Sequence, residues 1–100
     1  MRELTIDQTA EAIDRGAVVV DVREAAEFGE GHLPGARNIP MGQLPARLGE
    51  IDRDRPVCVV CASGNRSRAM TEVLTAAGFD AANVAGGTSA WLRAGRPVER

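Results

Sequence analysis

Apolar residues fall along this chain in short, often β-branched bursts, separated by stretches with helical spacing. Leu4 to Ile6 reads as a short first strand, and Asp7 as the cap of a helix carrying Ala10 and Ile13 that Gly16 stops. Ala17 to Val22 is apolar and β-branched almost throughout, as expected of a central parallel strand buried on both faces. A short helix over Ala25 to Phe28 follows. Then comes a His32-Leu33-Pro34-Gly35-Ala36 turn, where Pro fixes φ and Gly tolerates positive φ. A brief strand near Arg37 to Ile39 ends at Pro40, and a helix is expected from Gln43 to Leu48.

Asp52-Arg53-Asp54-Arg55 alternates in sign and reads as a solvated turn. Val57 to Cys61 is a second buried strand. Beyond a short loop, Ala69, Met70, Val73, Leu74 and Ala77 form one helical stripe that ends at Gly78. A strand near Asn83 to Ala85 and a helix over Ser89 to Ala94 close the pattern. Strands alternating with helices predict an α/β fold, a central parallel sheet flanked by helices, with residues 1–100 forming one domain.

Composition narrows the function more than the fold. A net charge of -2 gives no general attraction to nucleic acid, and the basic residues are scattered without interleaved aromatics. All 12 basic residues are Arg. The absence of Lys excludes a Schiff base or a phosphate-loop amine from this chain. No apolar run approaches membrane-spanning length and Met1 to Asp7 lacks a signal core. A cytoplasmic protein with reduced thiols and no membrane partner is therefore the expectation.

The chemistry concentrates in Cys61-Ala62-Ser63-Gly64-Asn65-Arg66-Ser67, between a buried strand and a helix. Ligands of parallel α/β sheets bind beyond the carboxyl ends of strands. A cysteine placed there faces the backbone N–H groups of the following helix start, which favour an anion: the thiolate itself or a bound oxyanion. Arg66 adds a forked cation. Such surroundings lower a thiol's pKa and raise its nucleophilicity at neutral pH. Ala62, Ser63 and Gly64 are small enough for the backbone to curl around the sulfur, and Gly64 tolerates positive φ.

Several motifs, in order, resemble the rhodanese-like domain family. Asp21-Val22-Arg23-Glu24, Glu27-Phe28, Gly31 to Ala36 and Asn38-Ile39-Pro40 are similar to its N-terminal signature. Cys61 to Ser67 resembles its active-site loop, and Val84 to Trp91 its C-terminal turn. The resemblance implies a persulfide cycle with Cys61 as sulfur-accepting nucleophile. Ala62, Ser63, Gly64, Asn65 and Ser67 belong to the substrate-binding loop, and Arg66 holds the donor. It implies thiosulfate or another small sulfur-containing anion as donor and cyanide or a thiol as acceptor, a sulfur-relay protein being a further candidate partner. Covalent chemistry of this kind calls for no metal or organic cofactor.

Other readings are weaker. Cysteine-dependent phosphatases carry five residues between Cys and Arg, against four here. Cys58 and Cys61 are three apart on a strand, so they face opposite sides, too far apart for a redox disulfide. With one His and no second Cys pair, a zinc site is not expected. Cys58 and Trp91 read as packing residues, His32 as a structural hydrogen-bonding residue, Asp21 with Arg23 as an internal ion pair, and Thr88 with Ser89 as a helix cap. A carrier loaded by a partner protein uses the same Cys61. It differs in not accepting sulfur from free thiosulfate; the family's thiosulfate-preferring members often place more cationic character in the loop than the neutral Ala62 and Ser63 here, a departure that counts against thiosulfate as the physiological donor.

Overall fold

Alternate residues of a strand point to opposite faces, so the valine runs supply two cores at once. In the computed structural model, which describes residues 1–100, these runs sit in the middle of a five-stranded, all-parallel sheet. The strands are β1 (Glu3–Leu4), β2 (Val18–Asp21), β3 (Arg37–Asn38), β4 (Val57–Val60) and β5 (Ala81–Val84), in the order β1-β5-β4-β2-β3. The helices are α1 (Ile6–Asp14), α2 (Ala25–Gly29), α3 (Asn65–Ala76) and α4 (Gly87–Arg93).

On one face Val20, Val22, Val57, Val59 and Cys61 pack with Leu44, Ile51, Phe79 and the α3 residues Met70 and Leu74. On the other Val19, Cys58, Val60 and Val84 meet Leu33, Trp91 of α4 and the apolar side of α1. Cys58 and Cys61 therefore belong to opposite faces, and both thiols are free. Asp52 to Arg55 is exposed, as a solvated turn should be.

Several expected boundaries shift, the first strand among them: it is Glu3–Leu4, and Ile6 opens α1 where the strand is expected to end. The cap of α1 is Thr5, not Asp7: its hydroxyl accepts from Gln8 N–H and the Gln8 side chain answers at Thr5 N–H. The helix expected from Gln43 to Leu48 is two 3₁₀ turns, Leu44–Ala46 and Leu48–Glu50, closed by i→i+3 bonds such as Arg47 N–H to Leu44 O. The last strand starts earlier, at Ala81. Pairing of Ala81 and Ala82 to β4 overrides the poor strand propensity of alanine. α4 also starts earlier, at Gly87, because Gly86 turns the chain in the left-handed region (φ 77°).

Strand order positions the site. The chain leaves β2 toward β3 on one side and leaves β4 toward β5 on the other. The crevice between the carboxyl ends of β2 and β4 is thus a topological switch point.

Candidate active site

Cys61 follows the last residue of β4 and is 1% exposed. Its loop turns at Gly64 (φ 109°), which caps α3, and the turn aims the first amides of the helix back at the sulfur. Gly64 N–H donates to Cys61 Sγ at 3.1 Å, and Ser67 Oγ lies 3.3 Å from the same sulfur. Burial pushes the thiol pKa up, but the Ser67 hydroxyl and the amides of Ser67, Gly64 and Ser63 outweigh it and hold the pKa below its ordinary value. Cys58, buried without such donors, is pushed up to about 11. The two thiols are thus shifted in opposite directions, Cys61 down by its donors and Cys58 up by burial.

A second helix start supports the loop from behind. Thr88 N–H donates to Cys61 O at 2.9 Å and Ser89 N–H to Ala62 O at 3.0 Å, while the Thr88 hydroxyl donates to Cys61 O at 3.1 Å. Thr88 and Ser89 thus do not cap α4 by their side chains; they tie its first turn to the cysteine loop. The approach is close enough that a Cβ on Gly87 (φ 60°) would sit 2.6 Å from Ala62 O and closer still to Cys61 O. With their carbonyls bound by α4, Cys61 and Ala62 are held while the α3 amides face the sulfur.

Arg66 makes two parallel bonds to the Glu27 carboxylate, both 2.8 Å. Glu27 stands in the first turn of α2, so the pair bridges the crevice between the loops after β2 and β4. Its hydrogen bonds from Arg66 and from Glu24 N–H bring the Glu27 pKa down to about 2, and the Arg66 pKa rises further above its ordinary value. The arginine stands beside the cysteine with its charge already matched. The turn that carries α2 is fixed by Asp21 and Arg23, a buried pair at 2.8 Å, with Arg23 also donating to Gly31 O.

The expected residues come together unevenly. Gly64 and Ser67 are buried beside the sulfur, and Ala62 is half-buried. Ser63 and Asn65 are exposed at the rim of the loop. His32 is structural: its ring stacks on Phe28 and Nδ1 bonds Phe28 O at 2.9 Å. Trp91 is buried, with Nε1 donating to Pro97 O. Two participants escape a reading of the sequence. One is Glu27 as the partner of Arg66. The other is Asn83, whose Oδ1 accepts from Ser67 Oγ at 2.6 Å. A polar residue inside the strand Ala81-Ala82-Asn83-Val84 was its only signal.

Two cavities, about 340 and 400 Å³, lie elsewhere. The first lies along β2 near Ile51, and the second is lined by Leu4, Gln8 and Pro56; neither is lined by residues 61–67. The fold and site thus define a class: a parallel α/β domain with a cysteine sulfur ringed by hydrogen-bond donors in a loop at a strand end.

Within that class the chain belongs to the rhodanese-like domain family, whose model matches residues 5–94. A sulfurtransferase of Allochromatium vinosum is 39% identical over 81% of this chain and 77% of its own length. The thiosulfate sulfurtransferase GlpE of Shewanella oneidensis is 35% identical over 93% of this chain and 94% of its own. The crystal structure of a rhodanese-related protein from Thermoplasma volcanium superposes with a TM-score of 0.94 at 34% identity, covering 99% of this chain and 98% of that one. Sulfurtransferase is the reaction class these relatives support.

Proposed function

We propose that this protein transfers sulfane sulfur through a persulfide on Cys61. The observation that carries the reading is the convergence of the Gly64 amide and the Ser67 hydroxyl on a buried sulfur whose pKa is lowered. In the first half-reaction the Cys61 thiolate attacks the outer sulfur of a donor such as thiosulfate. The new S–S bond forms as the donor's own S–S bond breaks, and sulfite leaves with the electron pair. In the second, an acceptor such as cyanide or a thiolate attacks the outer sulfur, and Cys61 departs as thiolate. Each half exchanges one bond to sulfur for another, so the cycle closes without an external oxidant or reductant.

The loop amides of residues 62–67 stabilise the charge on sulfur in both halves. Ser63 and Asn65, exposed at the rim, are where a donor first meets the protein. The Glu27–Arg66 pair favours a second reading, a carrier loaded by a partner protein. With its cation matched, the loop offers a free anion less attraction than an unpaired arginine gives. Steady-state formation of thiocyanate from thiosulfate and cyanide tests the enzyme reading. Turnover that Cys61→Ser abolishes and Cys58→Ala leaves in place is expected. Turnover surviving in Cys61→Ser overturns it, and absence of turnover in the native protein moves the function to the carrier.

A further inference from the structure

Asn83 is a fully buried polar side chain in a strand of small apolar residues, and its amide joins two groups that otherwise do not meet. Nδ2 donates to Glu3 Oε2 at 2.9 Å and Oδ1 accepts from Ser67 Oγ at 2.6 Å. Glu3 also accepts from Arg68, and these bonds hold its pKa below the ordinary carboxylate value. An ionised carboxylate only accepts hydrogen bonds. The NH₂ of Asn83 must therefore face Glu3, which leaves its carbonyl facing Ser67. The Ser67 hydroxyl has one proton and two acceptors in reach, Asn83 Oδ1 at 2.6 Å and Cys61 Sγ at 3.3 Å. It serves one at a time.

We propose that Asn83, oriented by Glu3, is a positioning residue that holds the Ser67 proton while the Cys61 sulfur is uncharged and releases it to the sulfur when charge develops there. The inference deepens the persulfide reading and rests on it. In the thiol form, S–H faces a lone pair of the Ser67 oxygen. When an acceptor takes the outer sulfur of the persulfide, the electron pair of the S–S bond returns to Sγ and the hydroxyl turns to meet it. Asn83 thus competes with the thiolate for a single proton. The charged groups around the sulfur are already paired: Arg66 of α3 with Glu27 of α2, Asp21 with Arg23 at the end of β2, and Glu3 of β1 with Arg68 of α3. α4 contributes the Thr88 hydroxyl, which is bound to Cys61 O. The Ser67 hydroxyl is the donor left free to change partner.

The test is the pH profile of Cys61 alkylation by iodoacetamide, resolved by peptide mass so that Cys58 is scored apart. Ser67→Ala removes the donor and raises the inflection by about one unit. Asn83→Leu removes the competitor and lowers it by about half a unit, and on the Ser67→Ala background it causes no further shift. A merely structural Asn83 would loosen the amides and raise the inflection in both backgrounds. If Asn83→Leu fails to fold, Asn83→Val, which suits a strand and leaves Glu3 paired with Arg68, takes its place, with the same fall expected and only when Ser67 is present. An unmoved or raised inflection in whichever variant folds, or an equal shift with and without Ser67, overturns the proposal. Sulfur uptake by Cys61→Ser would instead overturn the persulfide reading and leave the titration result standing, so the two failures are distinct.

Discussion

At the scale of single residues, the site is a set of charges each given a partner before any substrate arrives. Asp21 is wholly buried and bound by Arg23 through the main-chain N–H and the guanidinium. Removing one member of a buried pair leaves the other unmatched, a loss of about 3–5 kcal/mol. Arg23→Ala is expected to lower stability by that amount in urea unfolding, without changing the residues that touch Cys61. The Arg66–Glu27 pair is more exposed, and its signature is pH. The Glu27 pKa is about 2, below its unfolded value, so the pair's stabilisation is complete above the ordinary carboxylate range. It is lost as the pH falls from about 4 through about 2. Glu27→Gln is expected to flatten that part of the acid-unfolding curve. It also frees the guanidinium for an anion, so the thiosulfate KM should fall several-fold and become more sensitive to salt. An unchanged KM would show that Arg66 does not face the donor.

Elements hold these residues through their ends. The start of α3 supplies amides to the sulfur, and the start of α4 binds the carbonyls of Cys61 and Ala62. Gly87 is the point of contact, with no room for a Cβ. Gly87→Ala costs about 1–2 kcal/mol from left-handed backbone alone. It also pushes α4 off the loop, so the Cys61 alkylation inflection should rise toward that of a free thiol. The elements themselves were unequally legible. β2 and β4 announce themselves by runs of valine, and the loop from Cys61 to Ser67 by its small residues ahead of a helical stripe. The beginning of β5 is alanine, which carries no strand signal until β4 pairs with it. Two 3₁₀ turns stand where the amphipathic segment predicts one helix.

Over the whole molecule, strand order decides what the loops can build. Glu27 reaches Arg66 across 39 residues of sequence and Ser67 reaches Asn83 across 16, and both meetings depend on β4 lying between β2 and β5. No local spacing encodes that order, so the cysteine loop was readable and its supporting pairs were not. The α3 helix that presents the amides is seated on the sheet by Leu74, fully buried on the Cys61 face. Leu74→Ala should cost about 2–5 kcal/mol in denaturant unfolding. Covalent carriage of sulfur on Cys61 is read out by intact mass after incubation with thiosulfate or a low-molecular-weight persulfide, with Cys61→Ser alongside. The native protein is expected to gain one sulfur atom, a gain absent in the variant and reversed by cyanide. The same gain in Cys61→Ser, or none from either donor in the native protein, would contradict that carriage.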